Sequence, residues 1–264
     1  MTTTSPDHPG KTYTSIWQDF LAQWRSHDSQ VSAIGARERE SLGGEEYLNV
    51  IETDLGLSER FKETAKSIFN RLVWMAEKQF SPPEGQLNIE TTDLYERFIV
   101  TIKTKGRWDK FNPECIWDAL VQQYGGNKGE EIGLQQCADR IVRFFELKPG
   151  QSIEYKSGRP VLNVSVYLDG LDRRYSSVNR LSYHAVEDIV KGFAQLATFA
   201  AWANDPEVSS ALQRLAHRYN THDGRAIVSR ERINCGGGIE IVTYHSRFEF
   251  RFSKTLGDQL MLFL

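Results

Sequence analysis

Apolar residues recur at helical spacing near the start of the chain: Ile16, Trp17, Phe20, Leu21 and Trp24 share one stripe. The polar residues ahead of them, with Pro6, Pro9 and Gly10, read as a disordered tail over 1–12. Residues 26–44 are polar and read as loose, and a short helix is expected over 45–54. Ser58 is a candidate cap for the next helix, where Phe61, Ala65, Ile68, Phe69, Leu72 and Met75 line one side. The first firm break is Ser81-Pro82-Pro83-Glu84-Gly85, because proline removes a helix donor and restrains its predecessor. Past it, Phe98-Ile99-Val100-Thr101-Ile102 reads as a β-rich run.

Asn112-Pro113-Glu114 carries three start signals at once: a capping side chain, proline at the first helical position and an acid against the macrodipole. Ile116, Trp117, Leu120, Val121 and Tyr124 form that helix's apolar face, and Gly125-Gly126 ends it. A partner helix follows, with Ile132, Cys137, Ile141, Val142 and Phe145 inward. Strands are expected over 152–156 and where Leu162, Val164, Val166 and Leu168 alternate with Asn163, Ser165 and Tyr167, joined by a hairpin at Ser157-Gly158-Arg159-Pro160. A long apolar helix follows Ser182, and Asp205-Pro206-Glu207 opens another. The tail predicts strands over 226–234, 239–245 and 247–252, then a short closing helix.

The pattern is α+β: helices grouped, strands in hairpins, no βαβ rhythm and no fixed-period repeat. A helical N-terminal part over 13–80 precedes an α+β body over 86–264, in which helices pack on antiparallel hairpins and a C-terminal sheet carries the closing helix.

Composition narrows the function classes. The 264 residues carry a formal net charge of −3, which argues against a protein that coats nucleic acid over its whole surface but leaves room for a local basic patch. Cys115, Cys137 and Cys235 are far apart and lack metal-type spacing, as expected of reduced thiols in a cytoplasmic protein. No apolar run approaches the roughly 20 residues a membrane helix needs. No cofactor or metal site is expected.

Gly236-Gly237-Gly238 lies between two strand-like runs. A phosphate-binding loop leads into a helix, so these glycines read as a turn. Cys235 beside them reads as a strand-end thiol, since a nucleophile needs a nearby base and a lowered pKa. His217 and His222 are five apart, where helical zinc ligands prefer four. Glu154-Tyr155-Lys156 has the acid-x-Lys form some metal-dependent nucleases place on a strand. The densest candidate is basic: Arg214, His217, Arg218, Arg225, Arg230 and Arg232, followed by Arg247 and Arg251 on one strand face opposite Phe248, Phe250 and Phe252. Tyr219 and Tyr244 are candidate stacking surfaces, and Arg173, Arg174 and Arg180 form a second basic loop. Against a free arginine face stands Glu249, able to pair with either neighbouring arginine.

Three segments together resemble an uncharacterised domain family carried by plasmids, prophages and integrative elements, some of whose members are fused to adenine-type DNA methyltransferases. They are 61–74 with Ile68-Phe69-Asn70-Arg71-Leu72, then Ile116-Trp117-Asp118-Ala119-Leu120 to Tyr124-Gly125-Gly126, and the tail from Arg247-Phe248-Glu249-Phe250 to Leu256-Gly257-Asp258-Gln259-Leu260. The methyltransferase motif of the Asp/Asn-Pro-Pro-Tyr type is missing from this chain, so no catalytic residue carries over. The resemblance implies mobile DNA, and roles in DNA maintenance, defence or counter-defence. The leading expectation is a non-enzymatic protein that contacts nucleic acid, or a protein that handles it, through Arg214, Arg218, Arg225, Arg230, Arg232, Arg247 and Arg251, with Arg173 and Arg174 joining them. The alternatives are a protein-binding regulator of a host defence system and a metal-dependent hydrolase using Glu154 and Lys156.

Overall fold

The computed structural model describes residues 8–42, 57–104, 107–151, 153–169, 179–221 and 223–264. They form two compact units: one from the described residues of Met1–Gln79 with Ile89–Gly126, the other from Phe80–Asn88 with Asn127–Leu264. Residues 89–126, placed by the sequence reading with the body, therefore belong with the N-terminal helices. The expected helix over 45–54 lies outside the described residues. Among the described residues no helix is long and apolar enough to cross a membrane.

In the first unit, α1 spans Pro9–Leu42. Residues 9–12 are thus helical rather than part of a tail, and 26–42 continue the helix rather than forming a loose segment. The inward positions explain this: Trp17 and Leu21 are buried, and the partly buried Trp24, Asp28 and Val31 and the buried Gly35 extend the same stripe in alternating steps of three and four. Low hydrophobicity hid the stripe, while good helix formers such as Gln30, Ala33, Ala36 and Arg37 sustain it. Ile16 falls off the stripe and is exposed. α2 (Leu57–Phe80) buries Ala65, Ile68, Phe69, Leu72, Val73 and Ala76.

The β-rich run is helical. α3 (Thr92–Tyr95), a π turn (Glu96–Val100) and α4 (Thr101–Thr104) are continuous. A strand would have buried alternate residues. Instead Leu94 and Ile99 are buried, five positions apart as a π turn places them, and Val100 is 41% exposed. α5 (Pro113–Tyr124) starts as predicted: Asn112 Oδ1 accepts the Glu114 amide at 3.0 Å and the Thr14 hydroxyl at 3.2 Å. Val121, expected inward, is exposed. Trp17 packs its ring on Phe111 (4.8 Å between centroids) and donates its Nε1 to the Trp108 carbonyl at 3.3 Å. Replacing Asn112 by alanine is expected to cost about 1 kcal/mol in a urea melt, and by glycine a few tenths.

In the second unit, α6 (Lys128–Phe144), α7 (Tyr183–Trp202), α8 (Pro206–Tyr219) and α9 (Lys254–Phe263) accompany an antiparallel sheet. Ser182, Asp205 and Ser253 cap the last three through side chains accepting main-chain amides. The sheet order is β1-β2-β7-β6-β5, from β1 (Glu154–Lys156), β2 (Arg159–Ser165), β5 (Arg232–Cys235), β6 (Ile239–Thr243) and β7 (Arg247–Phe252); β3 (Asn179–Arg180) pairs separately with β4 (Ala226–Ile227). The expected strand over 226–234 is thus two strands, broken where Arg230 takes φ +66. Ser157 and Gly158, both at positive φ, make the two-residue β1–β2 turn.

Phe248, Phe250 and Phe252 are fully buried. The Phe250 ring meets Phe145 at 5.2 Å, Phe144 at 5.8 Å and Phe193 at 6.0 Å, and Phe248 meets Tyr219 at 5.8 Å, so α6, α7 and α8 share one core with β7. Of the residues expected inward on α6, Ile132 is exposed and Val142 half-buried.

Candidate functional site

Alternation along β7 puts the phenylalanines on one face of the sheet and Arg247, Glu249 and Arg251 on the other. Register then decides what those charges meet. Arg251 stands opposite Glu240 of β6, and Glu249 opposite Asn163 of β2. Glu249 is the pivot: none of its side chain is exposed, and both oxygens are held by cations. Lys156 Nζ donates to Oε2 at 2.7 Å and Arg251 Nε to Oε1 at 2.7 Å. Burial pushes the Glu249 carboxyl up, but the hydrogen bonds and charges of Lys156 and Arg251 outweigh it and hold the group below the ordinary carboxylate value. The Glu249 hydrogen bond in turn raises both Lys156 and Arg251.

The network spreads outward. Arg251 also meets Glu240 at 3.2 Å, Arg232 meets Glu240 at 3.5 Å, and Lys156 meets Glu154 at 3.5 Å. The arginine-rich outer face expected from the sequence is therefore neutralised across its centre, and Arg251 and Arg232 are committed to carboxylates. Glu154 and Lys156 belong to the same network. A divalent cation at Glu249 would sit beside two resident cations, and among the described residues no group of His, Cys, Asp or Glu is arranged to hold a metal. The Gly236 and Gly237 backbones take φ +59 and +78, and the Asn234 side chain accepts the Gly237 amide at 3.0 Å, so the glycines make a hairpin turn. Burial pushes the Cys235 thiol up to about 11 despite Arg214 nearby, so it is protonated at neutral pH.

The remaining arginines gather at the other end of the sheet. There the β6–β7 turn is closed by the Tyr244 amide on the Arg247 carbonyl at 2.8 Å, and Arg230 donates its amide to the Thr243 carbonyl at 2.6 Å. The Thr243 hydroxyl reaches the Val228 carbonyl at 2.6 Å. That carries the belt back to β4, whose partner β3 leads into Leu181, with its amide on the Arg225 carbonyl at 3.0 Å. Along this belt the Arg247 guanidinium lies 4.8 Å from the Tyr244 ring centre and Arg225 lies 5.7 Å from that of Tyr183. Arg225, Arg230 and Arg247 have no carboxylate partner among the described residues. The Arg225 Nε is buried without a hydrogen-bond partner. Arg218 sits at the margin, 3.7 Å from Glu231, and Arg214 is exposed one turn earlier on α8.

Two expected stacking surfaces divide. Tyr244 is half-buried under Arg247, whereas Tyr219 is in the core, where burial pushes its hydroxyl up to about 12. Tyr183 and Tyr167, both well exposed at this end, were not singled out from sequence. Arg173, Arg174 and His222 lie outside the described residues; the segment holding the two arginines leaves Asp169 and returns at Asn179, where the Asp169 amide meets the Arg180 carbonyl at 2.9 Å. Sequence reasoning also missed Arg140 and Arg143, which line a cleft of about 700 Å³ that Tyr167 borders as well. Their only signal was a three-residue spacing on α6. No protein-family model, no curated protein and no solved structure matches the chain.

Proposed function

We propose that this is a non-enzymatic binding protein that holds nucleic acid against the arginine–tyrosine end of its sheet. One observation carries the reading: Arg225, Arg230 and Arg247 lack carboxylate partners among the described residues, and two of them lie against tyrosine rings. Guanidinium groups free of carboxylates suit phosphate contact, and the adjoining Tyr183 and Tyr167 rings offer faces for unstacked bases. A cytoplasmic setting and a mobile-DNA context belong to the same reading; the first draws support from free thiols at Cys115, Cys137 and Cys235.

Binding to a fluorescent single-stranded oligonucleotide, followed by anisotropy over a salt series, tests it. Affinity should fall steeply with salt, and Arg230→Glu/Arg247→Glu should weaken it at least tenfold. Each lost phosphate contact should also flatten the logarithmic salt slope by about 0.7. Arg159→Glu, an exposed cation beside the β1–β2 turn, is the control that should change nothing. Unaltered affinity in the double variant would sink the proposal. A protein partner is the second reading, favoured by a different feature of the same unit, the edge of β2 that no strand covers among the described residues.

A further inference from the structure

β2 is paired unequally. On one side β7 accompanies it from Val161 to Ser165, but on the other β1 reaches only Val161, opposite Glu154. Among the described residues no strand covers the rest of that edge. The direction of the free groups follows from a single bond. Val166 donates its amide to the Ser246 carbonyl at 2.9 Å, toward the β7 side. Main-chain groups alternate along an antiparallel strand, so those of Val164 and Leu162 also point to β7, and the amides and carbonyls of Asn163 and Ser165 point away from it. No main-chain partner meets them among the described residues.

That edge opens into the cleft of about 700 Å³, whose lining lies wholly in the second unit. Asn163, Val164 and Ser165 form one side; Arg140, Arg143 and Phe144 of α6 and Ala185, Lys191 and Gly192 of α7 form the other. Glycine at 192 lets α7 pack directly on the Phe144 ring, which a Cβ there would overlap. Bare strand edge on one side and helices on the other is the setting in which an extended peptide adds as a strand, taking affinity from main-chain bonds and specificity from alternate side chains. Charge names the side chain. The cleft is lined by Arg140, Arg143 and Lys191 against Glu146 and Asp188; Lys191 is held by Glu187 at 2.6 Å and also feels Asp188, whereas Arg140 and Arg143 have no ion-pair partner within 4 Å among the described residues. They are one helical turn apart, placed to grip one carboxylate between them.

We infer that this cleft takes an extended peptide segment of another protein as an added strand on β2, with an acidic side chain of that segment between Arg140 and Arg143. The cleft borders the proposed nucleic-acid surface at Tyr167, which lines it too, but the inference uses none of that surface's arginines.

The test is selection of a random twelve-residue peptide library on the immobilised full-length chain, followed by titration of the enriched peptides. Enriched sequences should share an acidic position, and Arg140→Ala/Arg143→Ala should weaken them at least tenfold. Ser165→Pro should do the same, because it removes an amide facing the cleft and leaves the ladder to β7 intact. Should that variant fold poorly, peptides N-methylated at alternate amides give the same readout on the unaltered protein: one methylation phase binds at least tenfold more weakly than the other. Arg230→Glu/Arg247→Glu should bind these peptides unchanged, which separates this site from the proposed nucleic-acid surface. No enrichment, no shared acidic position, or affinities indifferent to both the edge and the arginine changes would overturn the inference. So would self-association abolished by Arg140→Ala/Arg143→Ala, which would make the occupant a second copy of this chain.

Discussion

A Lys156→Met/Arg251→Met variant is expected to lose about 3–5 kcal/mol at neutral pH, the usual cost of leaving a buried charge without its partners, and to reverse its response to acid. The cause is Glu249, wholly buried and gripped by both cations. In the native protein its carboxyl is held below its unfolded value. The stability it contributes is therefore fully present above the unfolded pKa and is lost as pH falls through the folded one. With both cations gone, burial alone acts, and the folded pKa rises above the unfolded value. The group's contribution is then intact at acid pH and lost as pH climbs through the raised pKa. Urea denaturation at pH 7.5, 6 and 5 should show the gap between variant and native narrowing as pH falls. Adding Glu249→Leu should recover much of the loss, since apolar replacement of an entire buried ion cluster is often neutral or better. A gap that stays constant with pH would show that Glu249 does not depend on these cations.

Phe250→Ala should cost a similar 3–5 kcal/mol by deleting a large buried ring. The position is fully buried and lies where α6, α7 and the sheet meet, with rings of Phe145, Phe144 and Phe193 around it. Phe144 and Phe145 are fixed at the end of α6 and Phe193 on α7, so no neighbour is free to fill the hole. The denaturation midpoint should drop with an unchanged slope. Tyr155→Ala, at a position 61% exposed, should stay within about 0.5 kcal/mol of native. If Phe250→Ala cost no more than the Tyr155 change, the helices and the sheet would not share one core.

What the sequence made legible was local. Asn112 and Asp205 cap the helices they were expected to cap, Ser157-Gly158 turns the hairpin, and the Phe248, Phe250 and Phe252 alternation faces the core. Each signal lies within a few residues of its effect. The misreadings share the opposite property. Residues 98–102 have β-type side chains, yet they are helical, with the buried Leu94 and Ile99 five positions apart rather than at alternate positions. Residues 26–42 look polar because their inward stripe holds only the partly buried Asp28 and Val31 and the buried Gly35. The candidate site failed in the same way. Arginine density was plain, but which arginines are neutralised depends on Lys156, ninety-three residues from Glu249, and on Glu240 across the β6–β7 turn. Cross-strand register, invisible from composition, sorts the cations into structural and available sets.

The strand order carries a consequence for the order of events during synthesis. β7 occupies the centre of the sheet yet is its last strand in the chain, following two helices that come after β2. A growing chain that has emerged only as far as α8 holds a β1–β2 hairpin with neither central neighbour nor phenylalanine row, and the apolar faces of α6, α7 and α8 have no sheet to cover them. Such a nascent chain exposes both its stickiest surface and an unpaired strand edge until β7 arrives. Sheet closure is therefore a late, long-range step, slowed by the loop it must close, and ribosome-stalled chains ending before Arg247 should be the aggregation-prone intermediates of this protein.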